Sequence, residues 1–549
     1  MGRFALVLLL PVVVAMANPA RAQDAFPQGV ASGDVTADAV ILWTRTAAGP
    51  VRVEVARDAA FADIVAQLDM SAGDDSDGTL KFDITGLTPS TVYQYRFVRL
   101  DTNETSPVGR FRTAPAAADR APFRFVYTGD SNAEFQPFTI LRHAAAETPD
   151  LWFWAGDTAY ADAILQGLPP AVDLPGYRGK HRQNREDAPL RELLAGSPVW
   201  VQWDDHEVSN DYDGGDLEPN ITRGQQLAGY QAFFEYQPIR PQNVAGDAYR
   251  TYRSIRYGAL AEFFILDCRQ YRSRDAGRDG GGPDPRAFLF PTLEFDTLSR
   301  LSDPGRTMLG AEQVAWLKAG LRNSNARWKF ILSSLPFTSL LFLPYDRWDG
   351  YAAEKYDLLR YIDVEGITGC VLLSADIHGN VYNPDVTRFL RDTNWEHFSP
   401  CFRISEFIAG PIATDTIEQE IGILGARVLE QSPAEFQQSA LFQLGFDFLR
   451  DKIVAANQIS FIESNRFAYL VVEVTEESLT LTHRGIPADP AITDAPLETL
   501  STVMLPEPPP QGCAPGLLSP VCMCLIAGLV RRSRPAISRR RSARRHRRS

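Results

Sequence analysis

Of the seven histidines in this 549-residue chain, two stand beside carboxylates just where an apolar run stops. Asp376-Ile377-His378 follows Val371-Leu372-Leu373, and its spacing offers an oxygen and a nitrogen to neighbouring positions around a cation. Alone, Asp-x-His is common by chance. Gly156-Asp157-Thr158-Ala159-Tyr160 is more specific. The glycine permits a sharp turn, the aspartate can bridge two cations, and the tyrosine can return its phenolate to one of them. A phenolate ligand favours a hard trivalent ion such as iron(III). The alternative for Tyr160 is a half-buried aromatic making an ordinary hydrogen bond. The strongest local signal is Trp203-Asp204-Asp205-His206-Glu207-Val208-Ser209-Asn210-Asp211-Tyr212. Carboxylates packed this densely repel one another in a buried turn, and a cation relieves the repulsion. A solvated charged loop is the alternative, but the run directly follows an apolar segment.

Those groups need elements to position them. Phe123 to Tyr127 leads into Gly129-Asp130, Leu151 to Trp154 into Gly156-Asp157, and Val199 to Trp203 into the acidic run. Glu262 to Leu266 leads into Asp267-Cys268-Arg269, and Trp328 to Leu332 into Ser333-Ser334. Near-continuous apolar runs of this length suit strands covered on both faces. Glu312 to Leu321, with Val314, Leu317 and Leu321 at helical spacing, predicts a helix between two of them. The alternation implies an α/β sheet packed between helices, with chemistry at the carboxyl ends of its strands. Before this region, Val51 to Val55 and Val92 to Phe97 alternate as half-buried strands, with a turn at Gly86-Leu87-Thr88-Pro89. The Leu-x-Pro…Tyr-x-Tyr arrangement resembles the strand corner of fibronectin type III-like sandwiches. Residues 23–116 therefore read as a small β-sandwich domain and Thr113 to Ala118 as a linker. Phe467 to Val474 and Ser478 to Thr482 read as a closing hairpin, and residues 486–512 as a proline-rich linker.

Hydrophobic residues make up 45% of the chain and charged residues 22%, as in ordered globular proteins. The net charge of −13 conceals ten arginines between Arg531 and Arg548, so the rest carries −23. A body that acidic repels nucleic acid and suits oxygen-loving cations. Arg3, the apolar run Phe4 to Ala17 and Ala20-Arg21-Ala22 predict a signal peptide over residues 1–22 and an exported, periplasmic, secreted or cell-surface location. Cys268, Cys370, Cys401, Cys513, Cys522 and Cys524 form no paired CxxC motif, which argues against a zinc ribbon. In residues 513–549, Leu517 to Val530 is apolar and the arginines follow. That arrangement resembles a surface-sorting tail able to attach the chain to a membrane or cell surface, the alternative being a disordered basic extension.

Taken in order, the motifs resemble the alkaline phosphatase D (PhoD-like) family within the calcineurin-like metallophosphoesterases. They are Phe26-Pro27-Gln28-Gly29-Val30-Ala31-Ser32-Gly33-Asp34 with Leu42-Trp43-Thr44-Arg45, Gly156-Asp157-x-x-Tyr160, Trp203-Asp204-Asp205-His206-Glu207 with Asn210, Asp267-x-Arg269-x-x-Arg272, Trp348-Asp349-Gly350-Tyr351, and Ser374-x-Asp376-x-His378. The resemblance runs from Phe26 to Gly485. It implies a four-layer α/β/β/α metallophosphoesterase sandwich over residues 122–485, with a mixed site of Fe3+ and Ca2+ or another divalent ion. By position, Asp130, Asp157, Tyr160 and His378 would hold iron. Asp157 and Asp376, with either Asp205 or Asn210, would hold the second metal. Relatives often carry a cysteine where this chain has Asp130. A carboxylate is harder than a thiolate, which leaves the first metal's identity open.

The expected activity is hydrolysis of phosphate mono- or diesters, phospholipids included, by hydroxide generated at the metals. His206 would contact the phosphate or protonate the leaving oxygen. Arg269 would hold phosphoryl oxygens or, equally, pair with Asp267. A phospholipase D-like phosphodiesterase and a non-catalytic surface binding protein are the alternatives. A serine hydrolase and P-loop chemistry lack their motifs.

Overall fold

The computed structural model describes residues 25–214, 221–242, 244–274, 303–340, 346–388 and 403–508. The expected signal peptide and the arginine-rich tail lie outside the described residues. The strands are β1 Val30–Gly33, β2 Ala39–Arg45, β3 Gly49–Ala56, β4 Ile64–Ala72, β5 Thr79–Thr85, β6 Val92–Arg99, β7 Gly109–Arg112, β8 Phe123–Thr128, β9 Leu151–Ala155 and β10 Val199–Gln202. They continue as β11 Arg253–Tyr257, β12 Ala261–Ile265, β13 Trp328–Leu332, β14 Cys370–Ser374, β15 Asn380–Asn383, β16 Ser405–Ile408, β17 Phe461–Glu463, β18 Arg466–Val474, β19 Ser478–Pro487 and β20 Glu498–Pro506.

These form one sheet ordered β20-β19-β18-β8-β9-β10-β1-β2-β5, a second ordered β11-β12-β13-β14-β16-β15-β17, and a third ordered β4-β3-β6-β7. The apolar runs explain why the first two sheets stack. Side chains alternate across a strand, and in β9 Leu151 and Phe153 enter one cluster while Trp152 and Trp154 enter another. Both faces of β9 are therefore covered. Between the sheets, the Phe125 ring meets those of Phe153, Phe263 and Phe330, each at 5.3 Å between centroids. Edge-to-face pairs of this kind add about 0.5–1.5 kcal/mol each beyond area burial.

Helices cover the outer faces. Helices α1 Ile140–Ala146, α2 Leu174–Asn184, α3 Ala188–Gly196 and α4 Arg223–Tyr236 lie in the first half of the chain. Leu141, Leu193 and Phe233 of α1, α3 and α4 pack on Trp152 and Trp154. Helices α5 Gly310–Asn323 and α6 Ala352–Val364 set Leu317, Leu321, Leu358 and Ile362 against Ile331 and Leu372 of the second sheet. The sequence-predicted helix is thus part of α5, with Leu317 and Leu321 buried. Helices α7 Ile417–Val428, α8 Pro433–Gln437 and α9 Ala440–Asn457 pack through Ile421, Phe436 and Phe446 on Val381 and Ile408. The result is the four-layer α/β/β/α arrangement. Among the described residues no helix is long and apolar enough to cross a membrane.

Two boundaries differ from the sequence reading. The N-terminal sandwich is present, with Phe82 of β5 packing on Phe97 of β6 at 5.6 Å and Tyr93 Oη accepting the Thr88 N–H at its corner. It does not stand apart, because β1, β2 and β5 extend the large sheet through a parallel pairing of β1 with β10. An alternating strand announces a buried face but not its neighbour, so the sequence could not disclose this join. The segment expected as a linker after Ile486 instead contains β20, paired along β19 from Glu498 to Pro506. Thr499 to Leu505 is a good β-forming run free of proline, with Pro487, Pro490 and Pro496 before it and Pro506 to Pro510 after it.

Candidate metal centre

Four strand ends deliver the site. Asp130 follows β8, Asp157 follows β9, Asp204 to His206 follow β10, and Asp376 and His378 follow β14. Asp130, Asp157, Asp376 and His378 all hold left-handed backbone, with φ between 50° and 69°. Non-glycine residues avoid this region, and where several gather the surrounding structure is holding them there for use. Gly156 has φ 107°, and a Cβ on it would sit 2.7 Å from Cβ of Asp204. The glycine thus lets the β9 and β10 turns touch. Glu207 ties the same turns together, accepting from Thr158 N at 2.6 Å, Thr158 Oγ1 at 2.7 Å and Asp204 N at 2.9 Å.

The acids and imidazoles form overlapping groups whose ligand atoms lie within 4.8 Å of one another. The groups are Asp130–Asp157–His378, Asp157–Asp205–His206, Asp204–Asp205–Asp376 and Asp205–Asp211–Asp346. Asp157 belongs to two and Asp205 to three. Tyr160 Oη lies 3.2 Å from His378 Nε2, and the Tyr160 ring stacks on His206 with centroids 4.1 Å apart. Asn210 is exposed; its backbone N–H donates to Asp162 Oδ2 at 2.7 Å.

Burial dominates the electrostatics. It pushes the Asp130 carboxyl up to about 7 and those of Asp157 and Asp376 well above the usual range. For His378 burial works the other way, yet Glu420 on α7, with Oε1 2.8 Å from Nδ1, outweighs it and raises the imidazole to about 9. Burial likewise opposes a charge on His206, but Asp162, Asp157 and Asp205 hold its pKa well above the ordinary value. Asp130 Oδ2 is buried with no hydrogen-bond partner among the described residues. An unpaired buried carboxylate oxygen is costly, and a cation removes that cost. The donors are carboxylates, imidazole and one phenol, a set that fits hard or borderline metal ions.

Arg269 differs from both sequence readings of its side chain. Asp267 Oδ1 accepts its backbone N–H at 3.1 Å. Its guanidinium is wholly buried and grips Asp204 (Nε–Oδ1 2.6 Å, Nη2–Oδ2 3.0 Å) and Asp346 (Nη1–Oδ1 2.7 Å). It ties the two carboxylates together. Four further residues were not singled out from sequence. Asp162 bonds His206 Nδ1 at 2.8 Å, Glu420 bonds His378, Asp346 joins Arg269 to Arg272, and Arg347 meets Asp376. Asp162 lies only two residues past Tyr160 and could have been found there; Glu420, on a distant helix, carries no local signal.

Comparison with known proteins identifies the family. The model of the PhoD-like phosphatase family matches residues 125–482, and that of the PhoD-like phosphatase N-terminal domain matches residues 13–115. Alkaline phosphatase D of Bacillus subtilis (strain 168) is 34% identical over 393 residues, 65% of this chain and 64% of that protein, just under two thirds of its length. Purple acid phosphatase 13 of Arabidopsis thaliana is 26% identical over 203 residues, 34% of this chain and 35% of that protein. Among solved structures, one described as PhoD superposes with a TM-score of 0.72 at 27% identity, covering 89% of this chain and 92% of that one. Purple acid phosphatase PPD1 from yellow lupin (Lupinus luteus) seeds superposes at 0.51 with 13% identity, covering 87% and 73%, a likeness of fold alone.

Proposed function

This chain belongs to the PhoD-like phosphatase family, and from that premise we propose that it is an exported metal-dependent hydrolase of phosphoric esters. The observation that carries the proposal is the convergence of Asp130, Asp157, Asp205, Asp376, His206 and His378 from separate strand ends into overlapping groups that share Asp157 and Asp205.

Asp130, Asp157, Tyr160 and His378 hold one cation, and Asp157, Asp205 and Asp376 a second; exposed Asn210 is the remaining candidate for the second. Tyr160 Oη, 3.2 Å from His378 Nε2, is placed to offer a hard phenolate oxygen to the first ion. That favours Fe3+ at the first position, with Ca2+ or another divalent ion at the second. When bound, such ions polarise phosphoryl oxygens and acidify water for attack on phosphorus. The chain's own residues supply the proton for departure. With Nδ1 on Asp162, His206 keeps Nε2 for the leaving oxygen, and its raised pKa keeps that proton in place near neutrality. The Tyr160 ring fixes the imidazole plane.

The test is elemental analysis of natively purified protein, alongside rates on a monoester and a diester substrate. Bound iron with a divalent ion and hydrolysis of either ester support the reading, and the ratio of rates separates monoesterase from phospholipase D-like diesterase. Protein without metal or turnover overturns it.

A further inference from the structure

A phosphoryl group entering a pocket of carboxylates needs a positive partner that is both close and reachable. Among the described residues, three arginines touch the carboxylate groups of the site. Arg269 is wholly buried and spends its donors on Asp204 and Asp346. Arg272 is wholly buried too, with Nε 2.6 Å from Asp213 Oδ1, Nη1 2.6 Å from Asp346 Oδ1 and Nη2 donating to Asp211 O at 3.0 Å. Arg347 is different. Its side chain is 15% exposed, and Nη2 lies 2.9 Å from Asp376 Oδ2, its one ion pair among the described residues, with Asp346, Asp211 and Glu420 close enough to act on its charge. Its Nε is buried without a hydrogen-bond partner.

The backbone under Arg347 is firmly held. The residue immediately precedes a 3-10 turn, Trp348–Tyr351, the motif that the metal centre itself does not use. Trp348 is fully buried, stacks on Phe337 at 4.2 Å and donates its indole N–H to Ser333 Oγ at 3.1 Å. Asp349 accepts from Ser339 Oγ at 2.7 Å and Leu340 N at 2.9 Å, and pairs with buried Lys355 at 3.1 Å. An arginine presented from so fixed a turn is pre-organised to grip an anion, and its planar fork matches two oxygens of a phosphoryl group. Arg347 sits against Asp376, in the group that shares Asp205 with the group of His206. The guanidinium and the imidazole thus reach one carboxylate array from different members.

We propose that Arg347 binds the non-bridging oxygens of the substrate phosphoryl group, and that the Trp348–Tyr351 turn serves to hold it there. The inference rests on the phosphoesterase reading above and assigns the anion contact to Arg347 in place of Arg269.

The test uses full-length, metal-replete protein and inorganic phosphate as a competitive inhibitor of monoester hydrolysis. Arg347→Gln is expected to weaken phosphate inhibition and raise KM by about tenfold or more, the loss of a charged hydrogen bond. Metal content by elemental analysis and the melting midpoint stay at wild-type values, and Arg347→Lys restores part of the phosphate affinity. Phosphate inhibition within twofold of wild type in Arg347→Gln overturns the inference while leaving the phosphoesterase reading intact. So does metal loss in both variants, which would make Arg347 structural. Wild-type protein that neither hydrolyses esters nor responds to phosphate overturns both.

Discussion

Nδ1 of His206 lies 2.8 Å from Oδ1 of Asp162, while Oδ2 of the same carboxylate accepts the backbone N–H of Asn210 at 2.7 Å. One carboxylate therefore fixes both the imidazole and the loop beyond it. His206→Ala should remove most turnover while leaving bound metal in place. Asp162→Asn should lower kcat about tenfold to a hundredfold, part of the roughly 10²–10⁴-fold that a positioned acid supplies. Because Asp162 raises the His206 pKa, the protonated, active form persists until the pH climbs through that raised value. Removing the charge should move this alkaline limb of the kcat profile to lower pH. An unmoved limb would take His206 out of the acid's role.

Asp157 is shared by two groups of potential ligands. Asp157→Ala should therefore lose metal from both positions, where Asp376→Ala loses chiefly one. Elemental analysis reads the difference, and full retention in Asp157→Ala would rule out a bridging carboxylate.

Glu420 acts on His378 from α7 through the 2.8 Å contact to Nδ1. Partners of this kind orient a metal-binding imidazole, and their loss typically costs about 10–100-fold in metal affinity. Glu420→Ala should show that loss in chelator competition, and Glu420→Gln a smaller one. Wild-type affinity in both variants would reduce the contact to a surface ion pair.

Gly33 occupies the junction of β1 with β10. A Cβ there would lie 2.4 Å from Pro238 O and 2.7 Å from Val199 O. Backbone oxygens of two elements cannot retreat cheaply, so Gly33→Ala should destabilise the protein by about 1–3 kcal/mol, as overpacking does. Urea midpoints test this, and an unchanged midpoint would mean the junction is compliant.

Two buried histidines outside the metal-ligand groups predict an acid limb of stability. Burial and Arg185 lower His181 to about 3, and burial lowers His483 to about 4. In the unfolded chain each binds its proton near pH 6.5, about the ordinary value. Between those values the unfolded state holds more protons, so each contribution is complete above pH 6.5 and erodes as pH falls, by about 1.4 kcal/mol per unit. The stability gap between wild type and His181→Gln should narrow from pH 6.5 to pH 4.5. Taking the difference removes the opposing effect of the buried carboxylates, and a constant gap would show that His181 is protonated in the fold.

The sequence was most informative where chain direction and chemistry coincide. Apolar runs that stop at Asp130, Asp157, Asp204 and Asp376 mark strand ends, and strand ends on one edge of a sheet converge. Gly156 was legible because its turn needs a residue without a side chain. Partnerships across the fold were not legible. Asp267 and Arg269, two apart, suggest an ion pair, yet the guanidinium reaches Asp204 on another strand end. Glu420 and Arg347 come from a helix and a turn far along the chain, with no periodicity that points at the site. The edge strand β20 was hidden by the prolines on either side of it.

The parallel seam between β1 and β10 has a practical meaning for anyone handling this protein. β10 ends beside Asp204 and Asp205, so the first described strand braces the strand that carries the acids. The front of the protein is accordingly no cassette to be clipped off or exchanged. A processing cut after Ala22 spares it, whereas one past Val30 would strip a rib from the catalytic sheet. Expression starting at residue 122 should yield a sheet with a raw edge, prone to seek a partner in another chain.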